Sequence, residues 1–260
     1  MTGDEPRALR TLAERLAREA GDLAAAGRER GIEVSSKSTV TDMVTQWDRA
    51  AEIVILEGLA LARPDDAVVG EEGGSRPGTT GLEWHLDPID GTTNFLYGIP
   101  AWAVSIGVLD ADGPVAGAVW IPPLGEMFSA HRGGGATRNG EPVRASSCTD
   151  PALALLGTGF GYEPSVRERQ VRDLIPVLPR IRDIRRFGAA SVDLCMVACG
   201  RTDVYMERGL QSWDLAAGWI VALEAGAVVT AIDGGAVRPE SVLAAAPGIH
   251  GAMVGLLSAG

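Results

Sequence analysis

The chain has little with which to grip a nucleic acid, a soft metal or a lipid bilayer. Lys and Arg total 23 against 34 Asp and Glu in 260 residues, for a formal charge of −11, and no basic run of five or more residues occurs. A polyanion needs a positive face, so nucleic-acid binding is disfavoured, and an acidic protein that handles a phosphate must import positive charge, most simply as metal ions. Cysteines number three, Cys148, Cys195 and Cys199, without CxxC spacing. That usage suits a reducing cytoplasm rather than a zinc or redox site, and Cys195 and Cys199, four apart on a predicted helix, read as small apolar core residues. The histidines, His85, His131 and His250, form no HExxH or similar spacing and read as surface or rim side chains. Ser191 has no sequence-evident His and Asp partners, which argues against a serine nucleophile. The opening residues MTGDEPRALR place acids before any apolar stretch, which reads against a signal peptide. Ser241 to Gly260 lacks Asp, Glu, Lys and Arg, yet Pro247, His250 and small residues interrupt it, so a buried strand and short helix fit better than a membrane span.

No internal repeat or low-complexity linker is present. A length of 260 residues lies near the upper limit for one core. It predicts one domain of two closely packed lobes, about 1–145 and about 146–260. Leu9, Leu12, Leu16 and Leu23 mark a helix ending near Gly27, and a second runs from Thr45 to Pro64, with a polar loop at Ser35 to Thr39 between them. Short strands are predicted at Ala67–Gly70 and Glu83–Leu86, and an antiparallel meander from Val104 to Ala130. The second half alternates: strands at Leu153–Thr158, Ile184–Phe187, Asp203–Glu207 and Val228–Ile232, and helices at Pro164–Leu178, Val192–Ala198 and Asp214–Ala225. Such alternation implies helices packed on sheet faces, and the tryptophans read mostly as core.

Against that background one stretch carries chemistry. Trp84 to Phe95 reads WHLDPIDGTTNF, with Asp87 and Asp90 three apart around a proline and Gly91-Thr92-Thr93 immediately after. Positions three apart on a regular strand face opposite ways, but a bend at Pro88 can turn both carboxylates to one site and free the Ile89 carbonyl. Two carboxylates about 5 Å apart repel by roughly 3 kcal/mol at an effective dielectric of about 20, so a cluster of them calls for cations. Oxygen donors without His or Cys favour Mg²⁺ over zinc, and a Gly-Thr-Thr turn opening a helix offers backbone N–H groups to an anion. Asp48, Glu71 and Asp214 also fall at the ends of predicted elements, where N-capping is the bland explanation for Asp48 or Asp214 taken alone.

Five blocks, Lys37 to Asp48 (KSTVTDMVTQWD), Gly70-Glu71-Glu72, Asp87 to Phe95 (DPIDGTTNF), Val104 to Gly107 (VSIG) and Ser212 to Gly218 (SWDLAAG), resemble the inositol monophosphatase family in order and spacing. The resemblance implies an α+β fold, a layered α-β-α-β-α sandwich, and Mg²⁺-dependent, Li⁺-sensitive hydrolysis of a phosphate monoester by a homodimer. It implies two or three Mg²⁺ ions, with Glu71, Asp87 and the Ile89 carbonyl as ligands of one, and Asp87, Asp90 and Asp214 of a second. Gly91 and Thr92 would bind phosphate. Asp48, Thr92 and Glu71 would be catalytic, the first two orienting the attacking water, and Lys37 would lie on a mobile loop beside a further metal position. Asp90, Gly188, Ala189, Ala190 and Glu207 would contact the sugar alcohol. Many relatives carry Ser or Thr where this chain has Ala189; losing a hydrogen bond worth roughly 0.5–1.5 kcal/mol loosens selectivity by about tenfold at most. Myo-inositol monophosphate is the expected substrate. Fructose-1,6-bisphosphatase, histidinol-phosphatase and nucleotide 3′-phosphatase activities are the alternatives within the superfamily, and a silent binding protein the alternative outside it. Whether Arg185, Arg186, Arg201 or Arg208 converge as a second phosphate subsite is left open.

Overall fold

The computed structural model describes residues 4–36 and 43–258. α1 (Glu5–Arg28) has Pro6 in its first turn and buries Leu9, Leu16 and a run of alanines on one face. The predicted leucine stripe is present, but small residues fill most of it. β1 (Val34–Ser36) pairs antiparallel with β2 (Met43–Thr45), so Ser35 and Ser36 belong to a strand rather than the expected loop. Lys37, Ser38 and Thr39 lie outside the described residues. α2 (Gln46–Ala62) starts at a Thr45 capping box and stops short of Pro64, because the residue before a proline is steered away from helix.

A large sheet follows: β3 (Ala67–Gly70), β4 (Glu83–Asp90), then the short helix α3 (Thr92–Tyr97), then β5 (Ala103–Asp110), β6 (Gly113–Ile121), β7 (Glu126–His131), β8 (Ala136–Arg138) and β9 (Glu141–Pro142). Its strands lie in chain order, β3 parallel to β4 and the other neighbours antiparallel. β4 was expected to end at Leu86 and instead continues to Asp90. Pro88 is tolerated because the β4–β5 register breaks there: Asp87 pairs with Ser105 and Asp90 with Ala103, three residues against two. That extra residue cancels the alternation of the pleat. Both aspartates therefore leave the strand on the same side.

The second half contributes β10 (Leu155–Thr158), α4 (Pro164–Leu174), β11 (Asp183–Arg185), α5 (Ala190–Ala198), β12 (Val204–Glu207), α6 (Ser212–Glu224), β13 (Val228–Thr230), β14 (Val242–Ala245) and α7 (His250–Ser258). α4 ends four residues before the predicted Leu178, since Pro176 cannot continue it. The charge-free tail is the predicted strand and short helix. The five strands lie in the order β11-β10-β12-β14-β13, with β10 parallel to both its neighbours and β14 antiparallel to both of its own. Among the described residues no helix is long and apolar enough to cross a membrane.

Helices α1 and α2 cover one face of the seven-stranded sheet, α5 and α6 lie between the two sheets, and α4 and α7 contribute to the core on the far side of the smaller one. This is the expected five-layer sandwich. α6 sits unusually close to the large sheet because Gly107 has no side chain: a Cβ there would fall 2.5 Å from the Ala216 Cβ. Two hydrogen bonds pin its first turn to β4 and β5, His85 Nδ1 with Ser212 Oγ at 2.8 Å and Ser105 Oγ to the Trp213 carbonyl at 3.2 Å. His85 is thus buried, 5% exposed, and not the rim residue expected, because its strand is covered on that face by α6.

Candidate active site

Four chain segments deliver the site. The end of β4 supplies Asp87 and Asp90, the starts of α2 and α6 supply Asp48 and Asp214, and the start of α5 closes over them. Asp48 and Asp214 occupy equivalent positions, the third residue of a helix that opens with a capping box. Each carboxylate reaches back to the backbone N–H of its own cap: Thr45 N donates to Asp48 Oδ2 at 2.8 Å, and Gln211 N to Asp214 Oδ2 at 2.7 Å. Capping and site-building are therefore the same arrangement, which spends one carboxylate oxygen on the helix start and leaves the other for the site.

Glu71, Asp87, Ile89, Asp90, Gly91, Thr92, Gly188, Ala189, Ala190, Glu207 and Asp214 line one cavity of about 420 Å³. Sequence reasoning placed all of these at the site. Asp48, fully buried, is not on the cavity wall. It lies behind Thr92, whose hydroxyl is 3.3 Å from Asp48 Oδ1 and 3.1 Å from the Ile89 carbonyl oxygen. Gly91 makes the turn possible: its φ of 89° belongs to the left-handed region, and a Cβ would stand 3.1 Å from that of Ala189. The phosphate-type turn and the 188–190 segment thus pack directly on one another. Asn94 locks them together, donating from Nδ2 to the carbonyls of Ala101 at 2.6 Å and Phe187 at 2.7 Å.

Ser191, set aside as a nucleophile, turns out to hold Asp90. Its hydroxyl donates to Asp90 Oδ2 at 2.5 Å and its backbone N–H to the same oxygen at 2.7 Å, while Ala190 N reaches Oδ1 at 3.2 Å. No sequence pattern announces this, because the partners are 101 residues apart. Phe160, Tyr162, Gln211 and Trp213 also line the cavity and were not foreseen as wall residues, and of the four arginines left open at the sequence level Arg186 and Arg208 line it too. Apart from Trp213, in the first turn of α6, they come from loops at the ends of β10, β11 and β12, which the parallel crossovers bring to one edge.

The electrostatics are those of too many carboxylates in too little water. Burial raises Asp87 well above the ordinary carboxylate range, helped by repulsion from Glu71, Asp90 and Asp214. Burial and the Asp90 charge do the same to Asp214. Asp90 is pushed up to about 6 by burial, against the lowering effect of the Ser191 donors. Asp48 reaches about 6, again through burial, with the Thr45 bonds opposing it. The Glu71 side chain lies against Asp87 and adds to the raising of its carboxyl. Among the described residues no three carboxyl, imidazole or thiol groups already close on a single point. The donor set is nonetheless all hard oxygen with an excess of negative charge, and it fits a divalent cation that would offset that charge.

A carboxylate-rich cavity beside a glycine-opened helix start, set between the layers of an α-β-α-β-α sandwich, defines a metal-dependent phosphoric monoester hydrolase. Comparison with known proteins agrees. Residues 5–258 match the model of the inositol monophosphatase family, and the chain belongs to that family. It is 44% identical over 268 residues to the inositol-1-monophosphatase SuhB of Mycobacterium tuberculosis, covering 95% of this chain and 92% of the relative. It is 38% identical over 228 residues to a protein named Nus factor SuhB from Pasteurella multocida, covering 86% and 85%. The crystal structure of the extragenic suppressor protein suhB from Bartonella henselae superposes with a TM-score of 0.91 at 36% identity, covering 97% of this chain and 99% of that one.

Proposed function

We propose that the protein hydrolyses myo-inositol monophosphate to inositol and phosphate, with two or three Mg²⁺ ions held by Glu71, Asp87, the Ile89 carbonyl, Asp90 and Asp214. The observation that carries this reading is the placing of those donors and the Gly91–Thr92 turn on one cavity wall. Bound Mg²⁺ supplies charge neutralisation at the phosphate and leaving oxygens and lowers the pKa of nearby water. The chain's own residues do the rest. Backbone N–H groups of Gly91 and Thr92 receive the phosphate oxygens, since amides that open a helix lack partners within it. Thr92 orients the attacking water. Its hydroxyl has a single proton and two acceptors in reach, Asp48 and Ile89, and a cation held by the Ile89 carbonyl would leave that proton to Asp48. Asp48 then acts as the base through Thr92, and its position behind the wall is what a relay requires.

The leaving alcohol lies against Asp90, Gly188, Ala189, Ala190 and Glu207. Glu207 accepts a 2.7 Å hydrogen bond from the Tyr205 hydroxyl, and burial raises its carboxyl to about 7. An ionised carboxylate is the stronger acceptor for a sugar hydroxyl, so KM for inositol 1-phosphate should rise as pH falls from about 8 to about 6, and Glu207→Gln should flatten that dependence. A KM profile identical in the two proteins removes Glu207 from the substrate contact. Lys37 belongs to the same proposal as a loop residue beside a further metal position.

The protein works as one domain of two packed lobes, homodimeric and cytoplasmic, without nucleic-acid or membrane partners. The free cysteines Cys148, Cys195 and Cys199 suit that compartment. The substrate assignment is tested by phosphate release from inositol 1-phosphate, fructose 1,6-bisphosphate, histidinol phosphate and a nucleotide 3′-phosphate in Mg²⁺. Preference for inositol 1-phosphate is expected; equal rates on all four would remove the inositol assignment and leave the phosphatase chemistry.

A further inference from the structure

A second cavity, of about 470 Å³, lies between α6, the paired ends of β4 and β5, and the 237–239 segment that precedes β14. It shares no wall residue with the carboxylate cavity, and its volume falls inside the range of about 300–1,000 Å³ usual for small-molecule sites. Leu109, Leu215, Trp219, Val237 and Pro239 make its wall largely apolar and partly aromatic. The charges around it are mostly answered within the protein. Asp110 takes both terminal nitrogens of Arg132, at 2.8 and 2.9 Å, and Arg238, beside the wall, is held by Asp233 at 2.6 Å. Glu83 differs: its side chain is 47% exposed, and among the described residues its one ion-pair partner is His85.

His85 lines the same cavity and is more than nine-tenths buried. Its Nδ1 is engaged with the Ser212 hydroxyl at 2.8 Å. Its Nε2 is buried and makes no hydrogen bond, although Glu83 Oε1 stands 2.9 Å away; the two atoms are close without being lined up. A neutral imidazole carries one ring hydrogen. With that hydrogen on Nδ1, toward Ser212, Nε2 is an acceptor beside a carboxylate, and both lack a donor. A buried polar atom left without a partner costs about 1–3 kcal/mol. A ligand that brings N–H donors and a positive charge together would answer both groups at once.

We propose that this cavity binds a small primary amine in its protonated form, the ammonium group between His85 Nε2 and Glu83 and the apolar or aromatic body along the Trp219 wall. An ammonium group has three donors and no acceptor, so it can serve the imidazole and the carboxylate together. The face of a tryptophan ring adds attraction for a cation. The site is independent of the phosphatase reading. The bland alternative is that the ring hydrogen sits on Nε2 and turns to Glu83, leaving an apolar hollow; an alcohol of the same shape would then bind as well as the amine.

The test compares three probes of one shape and different charge: phenethylamine, 2-phenylethanol and 3-phenylpropanoate. Binding is followed in the ¹H–¹⁵N spectrum through the Trp219 indole N–H, identified by its loss in Trp219→Phe. A pH of about 8 keeps an ordinary imidazole neutral and the amine charged. Saturating Mg²⁺ keeps the probe out of the carboxylate cavity. Phenethylamine should shift the Trp219 signal saturably and bind at least about fivefold tighter than the alcohol, with the carboxylate weakest. Glu83→Gln, at a half-exposed position that keeps the side chain's shape, should weaken the amine about fivefold and leave the alcohol within about twofold. Raising the salt from about 0.05 M to about 0.5 M should weaken the amine alone. The proposal is overturned by no saturable shift of the Trp219 signal up to about 10 mM amine, a weak limit for so small a ligand. Equal binding of amine and alcohol, or amine affinity unchanged in Glu83→Gln, overturns it as well.

Discussion

Asp87→Asn is expected to lower phosphate release from inositol 1-phosphate at least about a thousandfold, the equivalent of the several kcal/mol a bound cation contributes to the transition state. The same substitution should make the metal-free protein more stable. Asp87 is 2% exposed and faces Glu71, Asp90 and Asp214, so its ionised form suffers both burial and repulsion. Asn keeps the shape and the hydrogen-bonding partner without the charge. An acid whose folded pKa lies above its unfolded value holds its proton more tightly when folded. Its contribution to stability is therefore complete below the unfolded value near 3.8 and is lost as pH rises through the folded value, about 6 for Asp90 and well above the ordinary carboxylate range for Asp87. In chelator the wild type should melt at a falling temperature as pH rises from about 5 to about 8, with Asp87→Asn melting roughly 2–6 °C higher at the upper end. Added Mg²⁺ should raise the wild type and fail to raise the variant. An Asp87→Asn protein that retains a tenth of the activity, or whose metal-free form melts lower, would contradict the proposed arrangement.

Asp48→Asn is expected to cost about a hundredfold to ten-thousandfold in kcat, the usual contribution of a positioned base, with little change in Mg²⁺ affinity. Asn can still accept from Thr45 N, so the capping box survives and the fold with it. What is lost is the acceptor for the Thr92 proton. The acidic limb of the wild-type pH–rate profile should lie at or below about 6, because burial raises Asp48 to about 6 and nearby cations pull it back down. That limb should disappear from the residual activity of the variant, and Thr92→Val should reproduce the loss. A variant with the wild-type profile at reduced amplitude would mean that some other group takes the proton. Mg²⁺ affinity measured by calorimetry separates this from the Asp87 effect.

How much of this was legible in the sequence depends on how local the cause is. The Asp87–Thr93 block declared its chemistry because the proline, the two acids and the glycine act on one another within seven residues, and the register break at Pro88 is the physical form of the bend they imply. α1, α2 and the meander were legible for the same reason, as periodicity and turn residues are short-range signals. β1 was missed because Ser35 and Ser36 are polar and pair with β2 across intervening residues. His85 was misjudged because its burial depends on α6, more than a hundred residues later. Ser191 falls in the same class: it matters through Asp90, a partner that only the fold supplies. The long-range layering itself was reached through family resemblance rather than through propensity.

The proposed chemistry requires that cations occupy the carboxylate cavity. Phosphate release from inositol 1-phosphate, followed first in excess chelator and then after Mg²⁺ is restored, tests this most directly. No turnover above background is expected in chelator, and full return is expected with Mg²⁺. Hydrolysis that continues undiminished in chelator would contradict it.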